Sequence, residues 1–188
     1  MNTRAMRAIM RKDLVVVLRS PAVMIPLIIV PAVMLLALPL LVGLIPRLDP
    51  SSVGGLDRLI AGLPPSIAEQ VAGMVEVQTA VYLALVYLFA PLYLVVPLMV
   101  ASVIAADSFA GEKERGTLEA LLYAPLTDRE LFAAKMLTAQ VPAVIVAWGG
   151  ALLYGVVANW VGWQILGHRL FPNLMWTILA LWVAPAGA

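Results

Sequence analysis

The stretch MLTAQVPAVIVAWGGALLYGVVANWVGWQILG, residues 136–167, lies between Lys135 and His168 and carries no charge over 32 residues. A helix needs roughly 20 apolar residues to cross a hydrocarbon core about 30 Å thick. Two other stretches have the same character. Arg19 and Arg47 bracket 27 uncharged residues, and Glu76 and Asp107 bracket 30. Membrane spans are therefore predicted at about 22–45, 80–106 and 137–165.

A fourth apolar run starts at Leu174, after Phe171-Pro172-Asn173, and reaches Ala188. As a helix it covers only about 22 Å, and no polar flank closes it. It reads as a partial span, 174–188, of a chain expected to continue beyond Ala188. A cleaved signal peptide is a poor reading of the first run. That run far exceeds a secretory h-region, contains Pro26, Pro31 and Pro39, and is followed by no small-residue cleavage site.

Composition agrees with the spans. Of 188 residues, 63% are hydrophobic and 12% charged, against about 45–50% and about 25% in soluble domains. A net charge of +1 offers no bulk attraction to polyanions, so no nucleic-acid partner is expected. With no cysteine and one histidine, disulfide scaffolds, Cys-ligated zinc and iron–sulfur clusters are excluded.

Basic flanks set the orientation. Arg4, Arg7, Arg11, Lys12 and Arg19 precede the first span, and Lys113, Arg115, Arg129 and Lys135 lie between the second and third. The alternate loops hold only Arg47, Arg58 and Arg169. The N-terminus and the 107–135 loop are thus predicted to face the cytoplasm, in a multi-pass protein of the inner membrane.

Residues 3–19 predict an interfacial helix, with Arg4, Arg7 and Arg11 on one face and Met6, Ile9, Met10 and Val17 towards the other. Asp13 falls on the apolar side and disturbs the pattern. In the loop 46–79, Ser66 and Glu69 suggest a capping box after Pro64-Pro65, opening a short amphipathic helix. The spans contain no ionisable side chain apart from tyrosine, which disfavours a proton-coupled carrier or ion channel. Gln140, Asn159 and Gln164 suit interhelical hydrogen bonds, and Ala147, Ala151 and Gly155 form a small-residue ridge for close packing. Pro91, Pro97 and Pro142 are expected to kink the second and third spans.

The 29 residues from Asp107 to Lys135 hold ten of the 23 charges. Here Gly111-Glu-Lys-Glu-Arg-Gly-Thr-Leu-Glu119 precedes Leu121-Leu122 and Pro125, and Thr127 with Glu130 makes a second capping box. The order Gly111 to Glu119, then Leu121-Leu122, Ala124-Pro125-Leu126 and Lys135, closely resembles the cytoplasmic loop of ABC-2 type transporter permeases. The layout of spans resembles that family over the whole chain.

The resemblance implies an all-α, polytopic transmembrane helical bundle, a single permease domain over 1–188, with an interfacial N-terminal helix and a cytoplasmic coupling helix. It implies an ATP-driven exporter with a second permease copy or homologue, powered by a separate ATP-binding cassette ATPase. Glu112, Glu114, Arg115 and Glu119 would make charged contacts with that ATPase, and Thr117, Leu118 and Leu122 would pack the helix. No Walker-type phosphate loop occurs in the sequence, so ATP is expected on the partner chain and no cofactor on this one. A structural assembly protein and a membrane-embedded enzyme are the alternatives. The enzyme would need clustered Asp, Glu, His or Ser at one depth, and the sequence suggests no such cluster.

Overall fold

The computed structural model describes residues 3–49, 51, 61–114, 116 and 127–187. These form helices, and no strand occurs among the described residues. Among the described residues, three helices are long and apolar enough to cross a membrane. α1 is Thr3–Arg19, α2 is Pro21–Leu48, α3 is Pro65–Val71 and α4 spans Glu76–Ser108. α5 is Asp128–Leu166 and α6 is Leu174–Ala186. The chain is a transmembrane helical bundle.

Several boundaries follow from local chemistry. α1 stops at Ser20, because the residue before a proline is driven out of the helical region. Pro21 then opens α2, with the Ser20 carbonyl accepting from the Met24 amide at 2.9 Å. At α5, the expected box forms: the Thr127 amide donates to Glu130 at 3.1 Å and the Glu130 amide to Thr127 Oγ1 at 3.3 Å. α5 ends before Gly167, whose φ of 75° is a left-handed turn glycine adopts without a Cβ clash. Asn173 caps α6 by accepting from the Trp176 amide at 2.7 Å.

The Ser66–Glu69 box does not form. Pro64 is the N-cap of α3 with no side-chain bond. Pro65, preset for the first helical position, starts the helix early enough to leave Ser66 inside the first turn. There the Ser66 carbonyl accepts from Gln70 Nε2 at 3.0 Å.

Prolines shape the spans in a regular way. Widened π-helical turns run over Val33–Ala37, Ala84–Phe89 and Leu179–Val183, each ending two residues before a proline: Pro39, Pro91 and Pro185. A proline has no N–H for the carbonyl four residues back and crowds it. Passing to i→i+5 bonding shifts that carbonyl to the next donor. α4 is also interrupted at Tyr93–Leu94, where Pro97 removes the donor that Tyr93 would have used. Pro142, by contrast, sits within α5 with no break in the helix.

The chain divides into two compact units. The first comprises 1–31, 94–149 and 180–188. Its core joins Val17, Val100, Ala101, Ile104, Ala139 and Ala143, flanked by Val23, Leu27, Ala105 and Val146. Lipid tails provide little hydrophobic drive between helices, so close approach over small residues matters more. Ala139, Ala143 and Ala147 supply it on α5, all buried. Gln140 Nε2 donates to the Pro185 carbonyl at 2.7 Å.

The second unit comprises 32–93 and 150–179. Its core is an aromatic cluster in which Trp176 lies 5.2 Å from Tyr93, 5.1 Å from Tyr154 and 4.9 Å from Phe171, ring centre to ring centre. Tyr154 donates its hydroxyl to the Leu85 carbonyl in the π turn. Asn159 accepts from the Leu170 and Phe171 amides at 2.8 Å and donates to the Phe171 carbonyl at 2.7 Å. Arg47 donates to Gln164 at 3.4 Å. Gln140, Asn159 and Gln164 therefore serve helix-to-helix or helix-to-turn bonding, as their sparse placement suggested.

Candidate functional site

The described ends of the 107–135 loop meet at a buried polar cluster. The Lys135 ammonium donates to the Ser108 carbonyl at 2.7 Å and to Ser108 Oγ at 3.0 Å. Ser108 Oγ in turn donates to Asp13 Oδ2 at 3.2 Å, and Lys135 Nζ lies 3.6 Å from the same carboxylate oxygen. Lys12 approaches the other oxygen of Asp13 at 3.1 Å. Asp13, Ser108 and Lys135 are each only 4% exposed.

Helical register explains the meeting. Ser108 is one turn beyond Ile104, Lys135 one turn before Ala139, and Asp13 one turn before Val17. All three partners in those pairs belong to the core of the first unit. The polar cluster is therefore the next layer on the same three contacting faces. On α1, Met6, Asp13 and Val17 share the buried stripe, while Arg4, Arg7 and Arg11 are exposed. Asp13 is no flaw in the amphipathic pattern: it is on the inner face because a cation waits there. Buried charges are tolerated only when paired and hydrogen-bonded, and both conditions are met.

A cluster of Asp, Ser and Lys thus exists, which the sequence did not suggest. A serine beside a lysine invites comparison with a nucleophile and its base. The wiring argues otherwise. Lys135 Nζ donates to both the carbonyl and the hydroxyl of Ser108, so it is not placed to take a proton from that hydroxyl. The Ser108 hydrogen is already committed to Asp13. No group of three or more His, Cys, Asp or Glu suited to a metal occurs among the described residues. The arrangement is a structural clamp between α1, the end of α4 and the start of α5.

Of the residues expected to contact an ATPase, Glu112 and Glu114 fall on the last turn of the helix Val95–Glu114 that prolongs α4. Arg115, Thr117, Leu118, Glu119 and Leu122 lie outside the described residues. Gly116, at φ 64°, takes a left-handed conformation suited to stopping that helix. At about 1.5 Å per residue, the 39 residues of α5 measure about 58 Å. This is nearly twice a hydrocarbon core, so one end of α5 projects from the bilayer.

The profile of the ABC-2 family transporter proteins matches residues 7–184. The chain belongs to the ABC-2 transporter family. No curated protein and no solved structure matches it. As an ABC-2 permease the chain is a membrane-spanning transport subunit and is not itself catalytic. Its exposed apolar surface suits that setting: Ile25, Ile28 and Ile29 on α2 and Leu152 and Val156 on α5 are all more than half exposed. In water such stripes would drive aggregation, whereas in a bilayer they face lipid.

Proposed function

We propose that this ABC-2 permease lines the translocation pathway of an ATP-driven exporter and couples to a separate ATP-binding cassette ATPase through the 107–135 loop. The loop and the N-terminus face the cytoplasm, and a second permease copy or a homologue completes the pathway in the inner membrane. Glu112, Glu114, Arg115 and Glu119 meet the ATPase through charge, and Thr117, Leu118 and Leu122 pack the coupling helix. ATP is bound by the partner.

One observation supports this reading above the others. The flanks of the loop, Ser108 and Lys135, are joined directly and share Asp13. A push on a loop held at both ends passes into two spans and α1 together instead of dissipating in slack chain.

The test is Glu112→Lys with Glu114→Lys in the permease reconstituted with its ATPase. Substrate-stimulated ATP hydrolysis is expected to fall to the unstimulated rate, with membrane insertion unchanged. Stimulation surviving the double change overturns the docking role. Because the chain contains no cysteine, a single Lys113→Cys tests the orientation. It is expected to react with an impermeant thiol reagent only from the cytoplasmic side.

A further inference from the structure

Within the second unit, a cavity of about 400 Å³ is lined by Gln70, Tyr82, Tyr87, His168, Arg169 and Asn173, with Val86, Leu170 and Met175 as its apolar part. That size falls in the range of small-molecule sites. Its lining contains a guanidinium and no carboxylate. Among the described residues no acidic side chain pairs with Arg169, which is exposed in the turn between α5 and α6.

The hydrogen-bond inventory separates the lining into donors and acceptors. Tyr82 and Tyr87 both donate to Gln70 Oε1, at 2.8 and 2.9 Å, so their oxygens retain only acceptor capacity. One hydrogen of the Gln70 amide nitrogen goes to the Ser66 carbonyl. Asn173 Oδ1 is used on the Trp176 amide, leaving its Nδ2 hydrogens unbonded among the described residues. His168 Nδ1 meets the Leu166 carbonyl at 3.1 Å; a carbonyl only accepts, so Nδ1 carries the hydrogen. The donors on offer are Arg169, Asn173 and the second Gln70 amide hydrogen, and the acceptors include the two phenol oxygens.

We propose that this cavity binds the phosphate of a phosphate ester, with a phospholipid head group as its source. The Arg169 fork matches two phosphate oxygens, and Asn173 supplies a neutral donor beside it. Head-group hydroxyls donate to Tyr82 and Tyr87. Val86, Leu170 and Met175 accept the first carbons of the lipid.

The depth agrees with this assignment. Arg169 lies three residues beyond the end of α5, and Tyr82 six residues into α4. Trp160 and Trp163, exposed near the end of α5, mark a bilayer interface. The proposal does not depend on transport direction or on the ATPase.

The test measures phosphatidylglycerol retained by the full chain in detergent micelles, by native mass spectrometry. Arg169→Gln is expected to weaken retention about tenfold, the scale of one charge-assisted contact. Arg169→Lys should keep part of it. Arg47→Gln, which removes a cation outside this cavity, should change nothing. Tyr82→Phe should weaken phosphatidylglycerol more than phosphatidic acid, which has no head-group hydroxyl to place there. Displacement of the lipid by millimolar inorganic phosphate would replace the lipid source with a soluble one and overturn the lipid assignment. Equal retention by Arg169→Gln and the unaltered chain, or an equal loss in Arg47→Gln, would overturn the site itself.

Discussion

Lys135 Nζ and Asp13 Oδ2 stand 3.6 Å apart in a layer from which water is excluded, each side chain at most 4% exposed. Without Lys135, Asp13 keeps only the half-exposed Lys12 and the Ser108 hydroxyl, and losing one partner of a buried pair typically costs about 3–5 kcal/mol. Lys135→Met is therefore expected to lower the thermal unfolding temperature of the detergent-solubilised permease sharply. Asp13→Leu combined with Lys135→Met removes both charges and should recover most of that loss. If the double variant is as unstable as Lys135→Met alone, the pair is not what holds α1 to the spans.

That double variant also separates stability from coupling. A clamp that only stabilises can be replaced by apolar packing without functional loss. A clamp that carries motion from the loop cannot, because an apolar contact can slide where a hydrogen-bonded one is fixed. With stability restored, substrate-stimulated ATP hydrolysis in the reconstituted complex is expected to remain depressed. Full recovery of stimulation would assign Asp13 and Lys135 a purely structural role.

The spans were legible because absence of charge is a local property, readable from Arg19 to Arg47 without knowledge of partners. The α5 start was legible for the same reason, since Thr127 and Glu130 bond only to each other's neighbourhood. The clamp was not, because Asp13, Ser108 and Lys135 come from three distant segments and meet only through helical register. The available signal was Asp13 on an apolar stripe, an anomaly that asks for a buried cation. Likewise Pro91 announced a disturbance in α4. The π turn before it depends on which carbonyl finds a new donor, and pattern alone does not show that.

Asn159 holds the turn after α5 with three hydrogen bonds to Leu170 and Phe171. Asn159→Ala orphans two amides and a carbonyl in a partly buried place, at a cost of about 2–3 kcal/mol. Amide exchange at Leu170 and Phe171 should accelerate. Asn159→Asp keeps the acceptor for both amides but loses the donor to the Phe171 carbonyl. It should leave those amides more protected than the alanine variant does. Equal exchange in the two variants would show that the side-chain oxygen does not anchor the turn.

Gly43 marks a close helix approach in the second unit. A Cβ built there would stand 2.5 Å from Val161 Cγ1. Val161 is β-branched and has little rotamer freedom in a helix, so the backbone must yield. Gly43→Ala is expected to destabilise by about 1–3 kcal/mol, the usual scale of overpacking. Val161→Ala vacates the same space, and the double variant should be more stable than the sum of the single effects. Strict additivity in thermal unfolding would mean that α2 and α5 do not approach each other here.

Tyr154 joins two kinds of contact in one side chain: its ring lies 5.1 Å from Trp176 and 5.8 Å from Phe171, and its hydroxyl bonds the Leu85 carbonyl. Tyr154→Phe keeps the ring contacts and removes the hydroxyl, leaving a buried carbonyl inside the π turn with one partner fewer. The expected cost is about 1–2 kcal/mol, with faster amide exchange confined to Ala84–Phe89. Tyr154→Leu removes the aromatic contacts as well and should loosen the region around Phe171 and Trp176 too. The contrast separates the roles. If Tyr154→Phe leaves exchange in the π turn unchanged, the turn is held by Pro91 and its own backbone, and the hydroxyl contributes nothing to it.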